Sequence, residues 1–308
     1  MIATKIIIDT DPGIDDAMAI FYAVANPAID ILGLTTVFGN VKTSQATRNA
    51  LFLLEEIGIN VPVASGLHKP RVLPPFPPSA AVHGEEGFGS LLEIKPRNNP
   101  CAELAPDFLV RMAQENKGEI TLCPIGPLTN VAAAIDLDPD FCKNLKNIII
   151  MGGSLRTGGN ITPAAEANIY HDPHAADFVF KNGSNITMVG LDVTDRVVCS
   201  REYFKALALD SPHIGSLLNQ MADYYINFYE SISKINGCGM HDPTALIKCT
   251  EPSFFKTEAH KIKVILSGER MGETISDLNL KRSNIEICVD VDISAVKDDF
   301  FSNVAKLK

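Results

Sequence analysis

Six short apolar runs, alternating with stretches of helical period, constrain this chain more than any other feature of its sequence. They are "KIIIDT" (5–10), "IDILGLTTV" (29–37), "VPVAS" (61–65), "EITLCPI" (119–125), "NIIIMGG" (147–153) and "NITMVGLD" (185–192). Strands that are apolar throughout must be covered on both faces, and parallel strands need crossover helices to join them. The intervening "TSQATRNALFLLEEIG" (43–58), "AELAPDFLVRMAQENKG" (102–118) and "LTNVAAAIDLD" (128–138) supply such helices, with Gly58 and Gly118 placed where helices end. The pattern predicts a doubly wound α/β fold, a mostly parallel central sheet flanked by helices, with its ligand at the carboxyl ends of the strands. Residues 200–240 depart from the rhythm as a helical insertion. Its stretch "SLLNQMADYYINFYESISK" (216–234) sets Tyr225 and Tyr229 four apart on one face, as a core stripe or a substrate contact. The proline-rich piece 67–89 is expected to lack regular structure and to act as a lid or stay disordered.

At 308 residues and 46% hydrophobic, with no linker in view, the chain reads as one domain spanning 1–308. A formal net charge of -10 argues against nucleic acid and against an anionic membrane surface as partners, and favours a small neutral substrate. No run approaches the ~20 apolar residues of a membrane-spanning helix, and the N-terminal run turns acidic too soon for a signal peptide, so a soluble, cytoplasmic protein is expected. The seven cysteines show no CxxC or Cys/His metal spacing and are expected to be free thiols.

The first run ends in "DTDPGIDDA" (9–17), which crowds Asp9, Asp11, Asp15 and Asp16 together. A helix starting near Ile14 puts Asp15 and Asp16 in its first turn, where they complement the helix dipole. That does not account for Asp11 on the strand exit. Carboxylates so close raise one another's pKa unless a cation lies between them. With no Cys or His nearby, the donor set suits Ca²⁺ or Mg²⁺. Further ligands are available from Asp242 in "GMHDPTAL" (239–246) and from the carbonyl of Ile125 at a strand end.

"DTDPGIDDA", "TTVFGN" (35–40), "VHGEEG" (82–87), "IGPLTN" (125–130), "IMGGS" (150–154), "GNITPAAEANIYHDP" (159–173) and "MHDP" (240–243) stand in the order and spacing of the inosine-uridine preferring nucleoside hydrolases. The chain most resembles the bacterial ribonucleoside hydrolases of broad or pyrimidine preference, over residues 5 to about 245. The resemblance implies a Rossmann-like fold, a homo-oligomer (tetramer or dimer), a role in nucleoside salvage and Ca²⁺-dependent hydrolysis of a ribonucleoside to ribose and free base. Asp11 resembles the family's metal-bound general base, which takes a proton from the attacking water. Asp16 resembles the bidentate Ca²⁺ ligand, Asp242 and the Ile125 carbonyl the remaining protein ligands, and Asp15 a residue between the metal and the ribose hydroxyls. Asn40, Asn160, Glu166 and Asn168 match ribose-binding positions, Met151 matches a residue that packs under the sugar, and His241 matches the histidine that protonates a purine leaving group. Asp9 matches no ligand.

This chemistry is what an oxocarbenium-like ribosyl cation requires: a held water, surrounding negative charge and help for the departing base. Glu166 and Asn168 are two apart, so an extended segment would point both at one hydroxyl. His241 has the titration range of a general acid, although a histidine at a helix start commonly caps or packs. His83, on the proline-rich loop, is expected either to contact substrate on closure or to be exposed, and His171 and His174 read as helix-start polarity. The chain has no tryptophan, whereas purine-specific relatives stack the base between tryptophans. Base recognition then falls to His83, Tyr225, Tyr229 or a phenylalanine such as Phe38, which favours broad or pyrimidine-tolerant specificity. Two alternatives stay open, a hydrolase for a modified nucleoside and a non-catalytic nucleoside-binding protein on the same scaffold. A phosphotransferase built on the Asp9–Asp11 pair lacks the Ser/Thr motif, the downstream Lys and the late acidic pair it needs.

Overall fold

The computed structural model describes residues 3–308. Its strands are β1 (Thr4–Thr10), β2 (Ile29–Thr36), β3 (Val63–Ser65), β4 (Ile120–Pro124), β5 (Asn147–Met151), β6 (Ile186–Val189), β7 (Val198–Cys199), β8 (Cys238–Gly239), β9 (Phe255–His260), β10 (Ile262–Val264), β11 (Thr274–Ser276) and β12 (Ile285–Val291). Its helices are α1 (Ile14–Ala25), α2 (Thr43–Glu56), α3 (Ala80–His83), α4 (Ala105–Glu115), α5 (Thr129–Leu137), α6 (Phe141–Asn144), α7 (Ala167–His171), α8 (Pro173–Asn182), α9 (Leu191–Thr194), α10 (Arg201–Asp210), α11 (Ile214–Ser233), α12 (His241–Thr250) and α13 (Ile293–Val304).

Eight strands form one sheet in the order β3-β2-β1-β4-β5-β6-β12-β9, parallel except where β9 runs against β12. Successive residues of β1 serve opposite faces: Ile6 and Ile8 pack in one core with α1, α11 and α12, and Ile7 packs in the other with α4, α5 and α8. β5 divides the same way, Ile149 and Met151 on the first face and Ile148 and Ile150 on the second. Each isoleucine so buried is worth about 1.5–3 kcal/mol relative to exposure, which is why unbroken apolar runs were the legible part of the sequence.

The strand order reverses direction at β1 and β4, so the loops leaving these two strands part there and open a crevice at the carboxyl edge. Asp11 follows β1 and Ile125 follows β4. The insertion near 200–240 is α10 and α11, packed against each other. Among the described residues no helix is long and apolar enough to cross a membrane, and all seven cysteines are free.

Three local expectations are corrected. The proline-rich segment is not wholly irregular: beyond its last proline, Pro78, the turn α3 forms, because from Ser79 onward every residue again has an N–H to donate. Glu166 and Asn168 are not on an extended segment, since Glu166 caps α7 and Asn168 lies within it. His171 is not helix-start polarity; it ends α7 and is buried against the ring of Phe76.

Candidate active site

The turn between β1 and α1 is built by its own aspartates. Asp16, in the first turn of α1, accepts from the Gly13 N–H at 2.9 Å, the Asp11 N–H at 3.2 Å, the Thr10 hydroxyl and the Asn40 amide at 3.0 Å. It therefore holds the loop that carries Asp11. One oxygen of Asp11 accepts from the Asn40 N–H at 2.6 Å, while the other, Oδ1, is buried without a partner. Asp15 accepts from the Tyr225 hydroxyl through Oδ2 at 3.5 Å, and its Oδ1, 3.9 Å from His83 Nδ1, is buried without a hydrogen-bond partner.

Asp15, Asp16 and Asp242 each bring a carboxylate oxygen within 4.8 Å of the other two. Burial first, and for Asp15 and Asp242 also the neighbouring carboxylates, push all of their pKa values up, Asp15 to about 8. Asp11 is raised well above the carboxylate range by burial and then by Asp16. Buried carboxylates that repel one another, with two oxygens left unsatisfied, have the donor chemistry of a hard-cation site. The three carboxylates of Asp15, Asp16 and Asp242 fit such an ion, whereas Asp11, expected among the ligands, lies outside that group with its Oδ1 orphaned, and the Ile125 carbonyl accepts from the Asn168 amide. Asp9 stands apart from the set. It accepts from Thr35 at 2.6 Å and Asn130 at 2.8 Å, tying β1 to β2 and α5, and burial raises it to about 7.

Above the cluster opens a cavity whose acidic end is walled by Asp15, Asn40, Ile125, Met151, Asn160, Glu166, Asn168 and Asp242. Asp11 and Asp16 are fully buried behind that wall. The Glu166 carboxylate accepts from the N–H groups of Asn168 at 2.9 Å, Ile169 at 3.0 Å and Gly153 at 2.9 Å, so it closes the start of α7 onto the end of β5. Asn168 donates its amide to the carbonyls of Ile125 at 2.9 Å and Met151 at 3.2 Å, and Asn160 accepts from the Ala167 N–H at 3.0 Å.

The other end of the cavity is aromatic. His83 is buried, its Nδ1 accepting from the Ile14 N–H at 3.1 Å, which leaves the ring proton on Nε2. Burial lowers its pKa to about 3. The Tyr225 and Tyr229 hydroxyls lie 3.4 Å apart, Tyr229 meets His241 Nε2 at 2.8 Å, and His241 Nδ1 meets the Thr194 hydroxyl at 2.9 Å. Burial lowers His241 to about 4 and raises both tyrosines above their ordinary range, so at neutral pH imidazole and phenols are uncharged.

Phe38 lies elsewhere, in a separate hollow beside Lys42 and Phe76. The cavity instead takes Phe228, with Ser79, Val82, Ile161 and Ile232, none of which the sequence reading singled out. A signal for two of them was present: Tyr225, Phe228, Tyr229 and Ile232 recur at i, i+3, i+4 and i+7 along α11, one helical face.

The model of the family described as inosine-uridine preferring nucleoside hydrolase matches residues 6–298. A protein named probable uridine nucleosidase 2 from Arabidopsis thaliana is 42% identical over 95% of this chain and 94% of its own length. A plant nucleoside hydrolase structure superposes with a TM-score of 0.95 at 36% identity, covering 98% of this chain and 99% of that one. A purine-preferring ribonucleoside hydrolase from Gardnerella vaginalis gives 0.94 at 33% identity, covering 99% of each. With a crevice of buried carboxylates at the switch point of a doubly wound sheet, this chain belongs to the inosine-uridine preferring nucleoside hydrolases.

Proposed function

We propose that the protein hydrolyses the N-glycosidic bond of ribonucleosides to ribose and free base, with Ca²⁺ as the cofactor. The observation that carries the reading is the two-ended cavity, convergent buried carboxylates at one end and a Tyr–Tyr–His hydrogen-bonded chain at the other. A sugar with its hydroxyls toward the acidic end would set its base among His83, Tyr225, Phe228, Tyr229 and Ile232. The ion would be held by Asp11, Asp16, Asp242 and the Ile125 carbonyl, with Asp15 beside it. When bound, it supplies charge compensation for these carboxylates and acidifies water.

The chain's own groups do the rest. The unpartnered Oδ1 of Asp11 is the atom that takes the proton of the attacking water. Asn40, Asn160, Glu166 and Asn168 orient the ribose, Met151 packs against it, and the carboxylates place negative charge where positive charge grows on the sugar ring. His241, hydrogen-bonded to Tyr229, would pass a proton to the departing base along the Tyr229–Tyr225 chain while taking one up from solvent, so that no imidazolate is left behind.

Base preference is proposed as broad and pyrimidine-tolerant. The base end of the cavity offers aromatic and aliphatic contact without tryptophan. A sequence relative is named a probable uridine nucleosidase and a structural neighbour a purine-preferring hydrolase, so selectivity rests on these side chains rather than on the scaffold. The test is base release from inosine, adenosine, uridine and cytidine by wild type and Asp11→Ala, each chelated and then resupplied with Ca²⁺. Turnover by wild type that needs the ion, with loss in Asp11→Ala of about 10²-fold or more, supports the reading. Inertness toward all four nucleosides with Ca²⁺ present overturns it in favour of a modified nucleoside or a binding protein.

A further inference from the structure

One segment touches both halves of the cavity without lining it. The turn α9 follows β6 through Gly190, which lies so close to the Gly153 carbonyl that a Cβ there would meet it at 2.5 Å, and the Leu191 N–H donates to the same carbonyl at 2.9 Å. From this anchored start two side chains diverge. The Asp192 carboxylate accepts from the consecutive N–H groups of Leu155 and Arg156, both at 2.7 Å. These begin the loop that runs from β5 to Asn160, Ile161 and Glu166, the sugar side of the cavity. Two residues later the Thr194 hydroxyl, fully buried, lies 2.9 Å from Nδ1 of His241, whose Nε2 faces Tyr229 at the base side.

Building on the hydrolase reading, we infer that α9 is the element that positions both ends of the reaction. Asp192 fixes the ribose-binding loop, and Thr194 fixes the plane and tautomer of His241. A two-pronged carboxylate on adjacent backbone N–H groups is a charge-assisted clamp, stronger than the neutral hydrogen bonds that otherwise hold such a loop. A hydroxyl that donates to Nδ1 keeps the exchangeable imidazole proton on Nε2, the nitrogen directed along the Tyr229–Tyr225 chain toward the cavity. Neither residue lines the cavity, so both are positioning residues rather than catalytic ones.

The two roles separate with two substrates. One is whichever common nucleoside the Ca²⁺-loaded wild type turns over fastest. The other is 4-nitrophenyl β-D-ribofuranoside, whose phenolate departs without a proton. Thr194→Val, nearly the same shape without the hydroxyl, is expected to lower kcat for the nucleoside roughly tenfold or more, to leave kcat for the nitrophenyl riboside within about twofold, and to be restored by Thr194→Ser. Asp192→Asn turns one acceptor into a donor facing an N–H and is expected to raise KM for both substrates about tenfold. Equal losses on both substrates in Thr194→Val, no loss at all, or failure of Thr194→Ser to restore activity overturns the assignment for Thr194. An unchanged KM in Asp192→Asn overturns it for Asp192. A wild type active on both substrates isolates these failures from the hydrolase reading, whereas a wild type that cleaves neither overturns both.

Discussion

Asp11 works in a space with no slack. Gly126 stands so close that a Cβ there would meet Asp11 Oδ1 at 2.6 Å, and a Cβ on Gly39, whose φ is +155°, would collide with the other oxygen. Each glycine backbone thus lies against one oxygen of the carboxylate, and the Asn40 N–H fixes the direction of the second. Gly126 has no left-handed backbone to preserve, so Gly126→Ala displaces the carboxylate without straining the chain itself. Misplacing a reacting group by about 1 Å can cost on the order of 10²-fold in rate. Gly126→Ala is therefore expected to lose tenfold or more in kcat while thermal unfolding still shows one cooperative transition. Kinetics and a melting curve on the same sample check this, and full activity would show that Asp11 has more room than its neighbours allow.

At the scale of elements, one buried carboxylate joins three of them. Asp172 caps α8 by accepting from the Ala175 N–H at 3.0 Å, and its other oxygen accepts from the Thr129 hydroxyl of α5 and the Arg71 N–H of the proline-rich segment, both at 2.8 Å. Asp172→Ala removes the cap and orphans these buried donors, at an expected cost of about 2–4 kcal/mol in urea unfolding. Because the residue is not part of the cavity wall, kcat per folded molecule should change little; an unaltered urea midpoint would show that water replaces its contacts. The same residue shows where sequence reading stops. Apolar runs such as Ile6–Ile8 or Ile148–Ile150 are legible because burial on both faces leaves only one way to use them. β9, by contrast, is an edge strand with four exposed residues in six, and its pattern carries no such message. In the site, the crowding of Asp11, Asp15 and Asp16 was visible because they are close in sequence and cannot tolerate one another unaided. The Thr194–His241 contact spans 47 positions, and the placement of Asp172 against Arg71 spans 101. Each depends on how two loops meet at the sheet edge, which no local period encodes. The short helix that starts after Glu166 and takes in Asn168 was missed for a related reason: the Glu166 side chain caps α7 and closes on Gly153, a tertiary contact that overrides the local pattern.

For the whole molecule, the charge buried at the centre ties folding to pH and to the cation together. Asp9 and Asp15 are raised to about 7 and about 8 by burial, so between about pH 4 and those values the folded state holds protons that the unfolded chain, with ordinary aspartates near 3.9, does not. The stabilisation from these groups is complete below about pH 4 and is lost as pH rises through 7 to 8. Three buried histidines act in the opposite sense. His83, His171 and His241 are lowered by burial to about 3, 4 and 4. The unfolded chain takes up their protons once pH drops below about 6.5, and stability falls from there toward pH 4. Without a cation, Asp11, Asp16, Asp242 and Glu166, which burial also raises, add to the loss of stability as pH climbs toward 8, while the histidines work against the fold on the acid side of about 6.5. A divalent cation changes only the upper side, because it requires ionised carboxylates and binds the folded state. At pH 8 it replaces the protons that the cluster has lost; at pH 5.5 it must displace protons still bound there. At Ca²⁺ of about 100 times its Kd the gain approaches 2.7 kcal/mol, and the rise in Tm on adding Ca²⁺ to chelated protein is expected to be clearly larger at pH 8 than at pH 5.5. Asp16→Asn, which removes one carboxylate from the cluster, should flatten that difference. Equal Tm gains at both pH values, or a gain in Asp16→Asn as large as in wild type, would mean that the ion stabilises the fold from somewhere other than this crevice.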